Sequence, residues 1–177
     1  MVEAPSGTGK SSLCSFIFGL RTDYRGEIFF DGEDSRRLDI NGWCSLRRTA
    51  LAYLPQESGL FPEITVMENI MLKNRLTNHK TQEQIMEMLD VMDIAWKADS
   101  PARLLSIGQQ QRVALVRALC QPFDFLLADE PVSHLDEINN ARAAALIDRE
   151  VKANGAGAII TSVGNRLSLS GMTTVRL

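Results

Sequence analysis

The chain has little of what would place it in a membrane or against a polyanion. Its 177 residues contain no apolar run long enough to span a bilayer, and they do not open on a charged stretch followed by an apolar one, as a secretory leader does. Basic charge is not in excess either. The formal net charge is -3, so bulk electrostatics predict no nucleic-acid partner and no direct membrane insertion. Cysteine is scarce and poorly spaced for structure: Cys14, Cys44 and Cys120 form no C-x-x-C pair and have only His79 and His134 to join them. A disulfide framework or zinc site is not expected, and the thiols read as small buried or half-buried groups in a reducing compartment. Repeats, linkers and low-complexity tracts are missing too. With 45% hydrophobic residues the chain reads as a single domain over residues 1–177.

What is present alternates between strand and helix. A helix is predicted from Ser11 to about Leu20, then a strand in GEIFFDG (26–32) closed by an Asp-Gly turn, then a strand in TALAYLPQE (49–57) ending at Pro55. Between Glu63 and Leu105 the texture is helical. Thr81 and Gln84 form a capping box there, and Ile85, Met88, Leu89 and Met92 make an apolar stripe that reads as core. A helix over Ser106–Cys120, a buried strand in FDFLLADE (123–130), an Ala-rich helix to Asn154 stopped by Gly155, and a last buried strand in GAIITS (157–162) complete the pattern. Such alternation predicts an α/β fold with a mostly parallel sheet flanked by helices.

Three stretches carry chemistry. APSGTGKSS (4–12) follows the phosphate-loop pattern at Gly9, Lys10 and Ser11, with Ala4 in place of the first glycine. In such a loop backbone N–H groups surround phosphate oxygens, the lysine reaches the β- and γ-phosphates, and the Ser11 hydroxyl is placed to hold Mg²⁺. FDFLLADEP ends an apolar strand on two carboxylates. Asp129 there would hold Mg²⁺ through water, and Glu130 would polarise the water that attacks the γ-phosphate. LLSIGQQQRVALVRAL (104–119) places Ser106 and Gln109 as a capping box at a helix N-terminus.

Those stretches, in that order, resemble the motifs of the ATP-binding cassette (ABC) family. APSGTGKSS is similar to its phosphate loop, LPQE with Gln56 to its nucleotide-sensing loop, LLSIGQQQR to its signature, FLLADEP to its Mg²⁺ strand, and SHLD with Asp136 to its dimer-contact loop. The resemblance implies a P-loop NTPase core with an inserted helical subdomain at about residues 63–115. It implies a homo- or heterodimer in which each ATP, with Mg²⁺ at Ser11, Gln56 and Asp129, meets Ser6, Gly7, Thr8, Gly9, Lys10, Ser11 and Ser12 of one chain and Ser106, Gly108, Gln109 and Asp136 of the other. Closure would depend on ATP and reopening on hydrolysis. The implied function is the ATP-hydrolysing subunit of a transporter, cytoplasmic and peripheral to the inner face of a membrane, working on a transmembrane permease subunit. FLLADEP is similar to the corresponding stretch of exporters and lipoprotein-releasing systems.

The chain also departs from that pattern. Ile107 stands where the signature has its first glycine. Ser162, within Thr161-Ser162-Val163, stands where the family places a histidine beside the γ-phosphate. His134, in SHLD, is read as surface or interface. The family's upstream strands and adenine-stacking aromatic have no counterpart, because only Met1, Val2 and Glu3 precede the loop. The expectation is therefore a fragment, or a start placed too far downstream, with weakened adenine binding and with GEIFFDG as an exposed edge. A second reading follows from these departures: an ATP-responsive dimerising module with little hydrolysis. Glu130 favours the enzyme, Ser162 the module.

Overall fold

The computed structural model describes residues 1–5, 7–163, 167 and 169–176. In chain order the elements are β1 (Val2–Glu3), α1 (Lys10–Ile17), β2 (Phe29–Phe30), β3 (Glu33–Asp34), α2 (Ile40–Thr49), β4 (Leu51–Leu54), α3 (Val66–Asn74), α4 (Gln82–Val91), α5 (Ile107–Leu119), β5 (Phe125–Asp129), α6 (Glu137–Asn154), β6 (Gly157–Ser162) and β7 (Val175–Arg176). Five strands form a parallel sheet in the order β4-β5-β6-β1-β7. The expected α/β architecture is therefore present, with α3 and α4 between the second and third strands of the chain's path through this sheet.

The core follows from the pattern of the elements. Leu126, Leu127 and Ala128 of β5 are fully buried on both faces, as a continuous apolar run in a parallel strand requires. Over it lies α5, whose Val113, Ala114, Leu115, Val116 and Leu119 are buried almost all round, the mark of a central rather than a surface helix. Ile85, Met88, Leu89 and Met92 are likewise buried beneath α4, behind a complete Thr81–Gln84 capping box. Gly155 closes α6 with φ 61, a conformation that side chains with a Cβ avoid.

Some expectations shift. The strand expected over residues 26–32 shrinks to β2, which pairs antiparallel with β3 through a turn in which Asp31 (φ 50) and Gly32 (φ 84) both take positive φ. Helix α2 was not anticipated, because its Asn41-Gly42 pair reads as a turn. The Asp39 carboxylate accepts from the Gly42 N–H at 2.8 Å and caps it into a helix instead. Arg47 on α2 then donates to the carbonyls of Phe18 and Gly19, which helps to explain why α1 stops at Ile17 rather than near Leu20. Because α2 contributes no fully buried residue, Cys44 is exposed, against expectation, while Cys14 and Cys120 are buried. Burial pushes both of those thiols up to about 12, so they stay protonated and unreactive.

Candidate functional site

Parallel strands end together, and here their carboxyl ends converge on one edge. β1 runs between β6 and β7 and pairs Val2 with Thr161 and Glu3 with Ser162, so the chain leaves the middle of the sheet directly into the loop at Ala4. Gly7 (φ 82) and Gly9 (φ 98) turn that loop through backbone conformations a Cβ would strain, and Gly9 is the N-cap of α1. The opening N–H groups of α1 lack intrahelical acceptors and carry the positive end of its dipole, so they make an anion cradle. Lys10 is 4% exposed and folds over the loop, its Nζ donating to the Ala4 carbonyl at 2.8 Å and the Pro5 carbonyl at 2.9 Å. Ser6 lies outside the described residues.

On the neighbouring strand Asp129 is buried, and Thr161, its partner in the register, donates its hydroxyl to one Asp129 oxygen. Glu130 follows at φ 50, an uncommon conformation for a residue with a side chain. Its backbone is held on two sides. The N–H donates to the Thr161 carbonyl at 3.2 Å, and the carbonyl accepts from Gln111 Nε2 at 2.9 Å. Ser162 is almost fully buried at the end of β6 and lines a small cleft with Glu130, Ser133 and Val163. β4 pairs Leu54 with Ala128, so Gln56 lies beyond its end at the level of Glu130.

The Ser106 capping box is formed in full: Ser106 Oγ accepts from the Gln109 N–H at 3.3 Å, and Gln109 Oε1 accepts from the Ser106 N–H at 2.9 Å. This ties the Gln109 Oε1 to its own helix. Gln111, two residues on, is buried and links α5 to the segment after Glu130, accepting from the His134 N–H at 3.0 Å and donating to Ser133 Oγ at 3.2 Å. Gly108 sits so close to that segment that a Cβ on it would lie 2.8 Å from the His134 carbonyl. Ile107 is exposed, as is His134, and both line a surface cleft with Gln56 and Gln111. Asp136 is the N-cap of α6, and its bond from the Asn139 N–H holds the carboxyl below its usual range. Thr161 and Gln111 are the positioning residues that motif reading missed.

For a divalent cation the donor set of Ser11, Gln56 and Asp129 is all oxygen, the chemistry Mg²⁺ takes. The structure thus brings a phosphate-type loop, two carboxylates and a glutamine to one sheet edge, while the signature residues attach to the Ser133–His134 segment.

The architecture and this site define an ATP-binding cassette. A profile described as ABC transporter matches residues 4–133, and the chain belongs to that family. It is 34% identical over 161 residues to the lipoprotein-releasing system ATP-binding protein LolD of Hyphomonas neptunium, covering 89% of this chain and 71% of that protein. It is 31% identical to the lipopolysaccharide export system ATP-binding protein LptB of Haemophilus influenzae, over 93% of this chain and 68% of that one. Among solved structures, the dimeric post-hydrolysis state of the ATP-binding cassette MJ0796 bound to ADP and Pi superposes with a TM-score of 0.81 at 27% identity. That alignment covers 93% of this chain and 73% of that one.

Proposed function

We propose that this chain is the ATP-binding and ATP-hydrolysing subunit of an ABC transporter. It works as one of a pair of such subunits on the cytoplasmic side of a membrane and drives a transmembrane permease. The observation that carries this reading is the convergence of the loop over α1, Asp129 and Glu130 on the carboxyl edge of one parallel sheet. Lys10 and the N–H groups of Gly7 to Ser12 bind the polyphosphate. Ser11, Gln56 and Asp129 are the residues that would hold Mg²⁺, which neutralises phosphate charge when bound. Glu130 orients and polarises the attacking water, its backbone fixed by Thr161 and Gln111 so that the carboxylate need not search for its position. Ser106, Gly108 and Gln109 of one chain, with Asp136, meet the nucleotide on the other. A helical unit at about residues 63–115 carries that signature surface.

The test is Glu130→Gln. It preserves shape and removes the negative charge that polarises water, so phosphate release from ATP should fall by about a hundredfold or more while ATP still binds, and light scattering should show ATP-bound dimers accumulating. Unchanged turnover would remove Glu130 from the reaction. The low-hydrolysis module, which rests on Ile107, Ser162 and the missing upstream strands, finds no support in the relatives, which leaves the enzyme as the favoured reading.

A further inference from the structure

Arg21 lies on the loop after α1, outside every motif discussed above. Its guanidinium is clamped on three sides. Nε and Nη2 hold the two oxygens of Asp23, the ring of Phe16 lies beneath it at 5.1 Å from centroid to Cζ, and Nη1 donates to Ser12 Oγ at 2.9 Å. Tyr24 in turn packs on Phe16 at 5.2 Å between ring centroids. A planar, forked cation locked in this way has already lost the rotamer freedom that binding an oxyanion would otherwise cost it.

Its position is electrostatically odd. Ser12 belongs to the first turn of α1, whose free N–H groups make that end positive, and a cation is disfavoured there unless an anion joins it. Asp23 balances part of the charge, yet 48% of the Arg21 side chain remains exposed. Ser12 is also two residues beyond Lys10, which puts the two side chains on different faces of the helix. Lys10 folds toward Ala4 and Pro5, whereas Arg21 reaches the helix from the Ser12 side. A polyphosphate whose β- and γ-groups sit at Lys10 and Ser11 leaves its α-group to the backbone N–H cradle, to which Ser12, in the first turn of α1, contributes a free N–H.

We propose that Arg21 is a further nucleotide-binding residue that contacts the α-phosphate, the phosphate group ATP and ADP share next to the ribose. The proposal rests on the loop being the ATP site. Arg21 would hold nucleotide in both states of the cycle, whereas Lys10 would favour the triphosphate.

Calorimetric titration of the purified full chain with ATP and with ADP tests this. Arg21→Ala should weaken both nucleotides by a similar factor, about five- to tenfold, while Lys10→Ala should weaken ATP more than ADP. Asp23→Asn keeps the Arg21 charge and removes its competitor, so affinity for both should hold or rise. Three results would overturn the assignment: wild-type affinity in Arg21→Ala, a loss confined to ATP, or an Asp23→Asn variant as impaired as Arg21→Ala, which would mean that the ion pair only shapes the loop. If the unaltered chain binds neither nucleotide, the ATP-site reading itself fails, a separate outcome.

Discussion

Thr161 and Ser162 are consecutive residues of β6 with different consequences. The Thr161 hydroxyl donates to Asp129 and its carbonyl accepts from the Glu130 N–H, so the strand fixes the Asp129 carboxylate and the Glu130 backbone by hydrogen bonding. Ser162, at the strand end, shares a cleft with Glu130 and carries a side chain too short to reach far from the sheet. An imidazole there would extend toward the γ-phosphate and hold it against Lys10 and the attacking water. Ser162→His is therefore expected to raise kcat for ATP. One good hydrogen bond to a developing charge contributes about 1.5 to 3 kcal/mol, or roughly tenfold or more in rate. A folded variant with unchanged or lower kcat would show that the site works without a longer group at this position. The position of Ser162 was legible from motif order alone. The Thr161 contacts were not, because a threonine in a strand gives no local sign of the carboxylate it will meet in the neighbouring strand.

At the scale of one element, α5 shows how far local rules reach. Its N-cap, capping box and length all follow from residues 106–120, and the structure reproduces them within a residue. The requirement at Gly108 does not follow from them. By helix propensity Gly108→Ala would stabilise α5 by about 1 kcal/mol. The new Cβ would instead meet the His134 carbonyl at 2.8 Å, a backbone atom that cannot turn aside. We expect this variant to be less stable than the parent by about 1 to 2 kcal/mol in urea unfolding, since overpacking against backbone outweighs the propensity gain. A more stable variant would mean that the Ser133–Asp136 segment yields freely. The same close approach makes Gln111 the link between the signature helix and Glu130, a role its place in a run of three glutamines conceals.

Across the whole molecule, a nearly buried ion pair ties the approach to α4 to the long helix of the core. Lys80 Nζ lies 2.6 Å from Glu150, whose side chain is 4% exposed, and Arg149 bridges Glu150 to Glu87 on α4. Lys80→Met leaves the Glu150 carboxylate with Arg149 alone. The loss should be about 2 kcal/mol, below the 3 to 5 typical of an orphaned buried charge because that partner remains. Urea unfolding would measure it, and a change below about 0.5 kcal/mol would show that Arg149 suffices.

The sequence by itself determined the chemistry and the order of the principal elements from α1 to β6, α2 and β3 excepted. Capping boxes, turn residues, buried strands and the phosphate-loop spacing are written in residues close together along the chain, and local backbone preferences act at that range. The tertiary structure decided which of these groups meet. It inserted Val2–Glu3 between β6 and β7 as an interior strand, turned an Asn-Gly pair into part of α2, placed Arg21 on Ser12, and set Thr161 against Asp129 and Gln111 against Glu130. Those pairings depend on strand register and on how closely α5 packs on the loop after β5. Both are set by burying side chains from the whole core at once, so no short window of the chain encodes them.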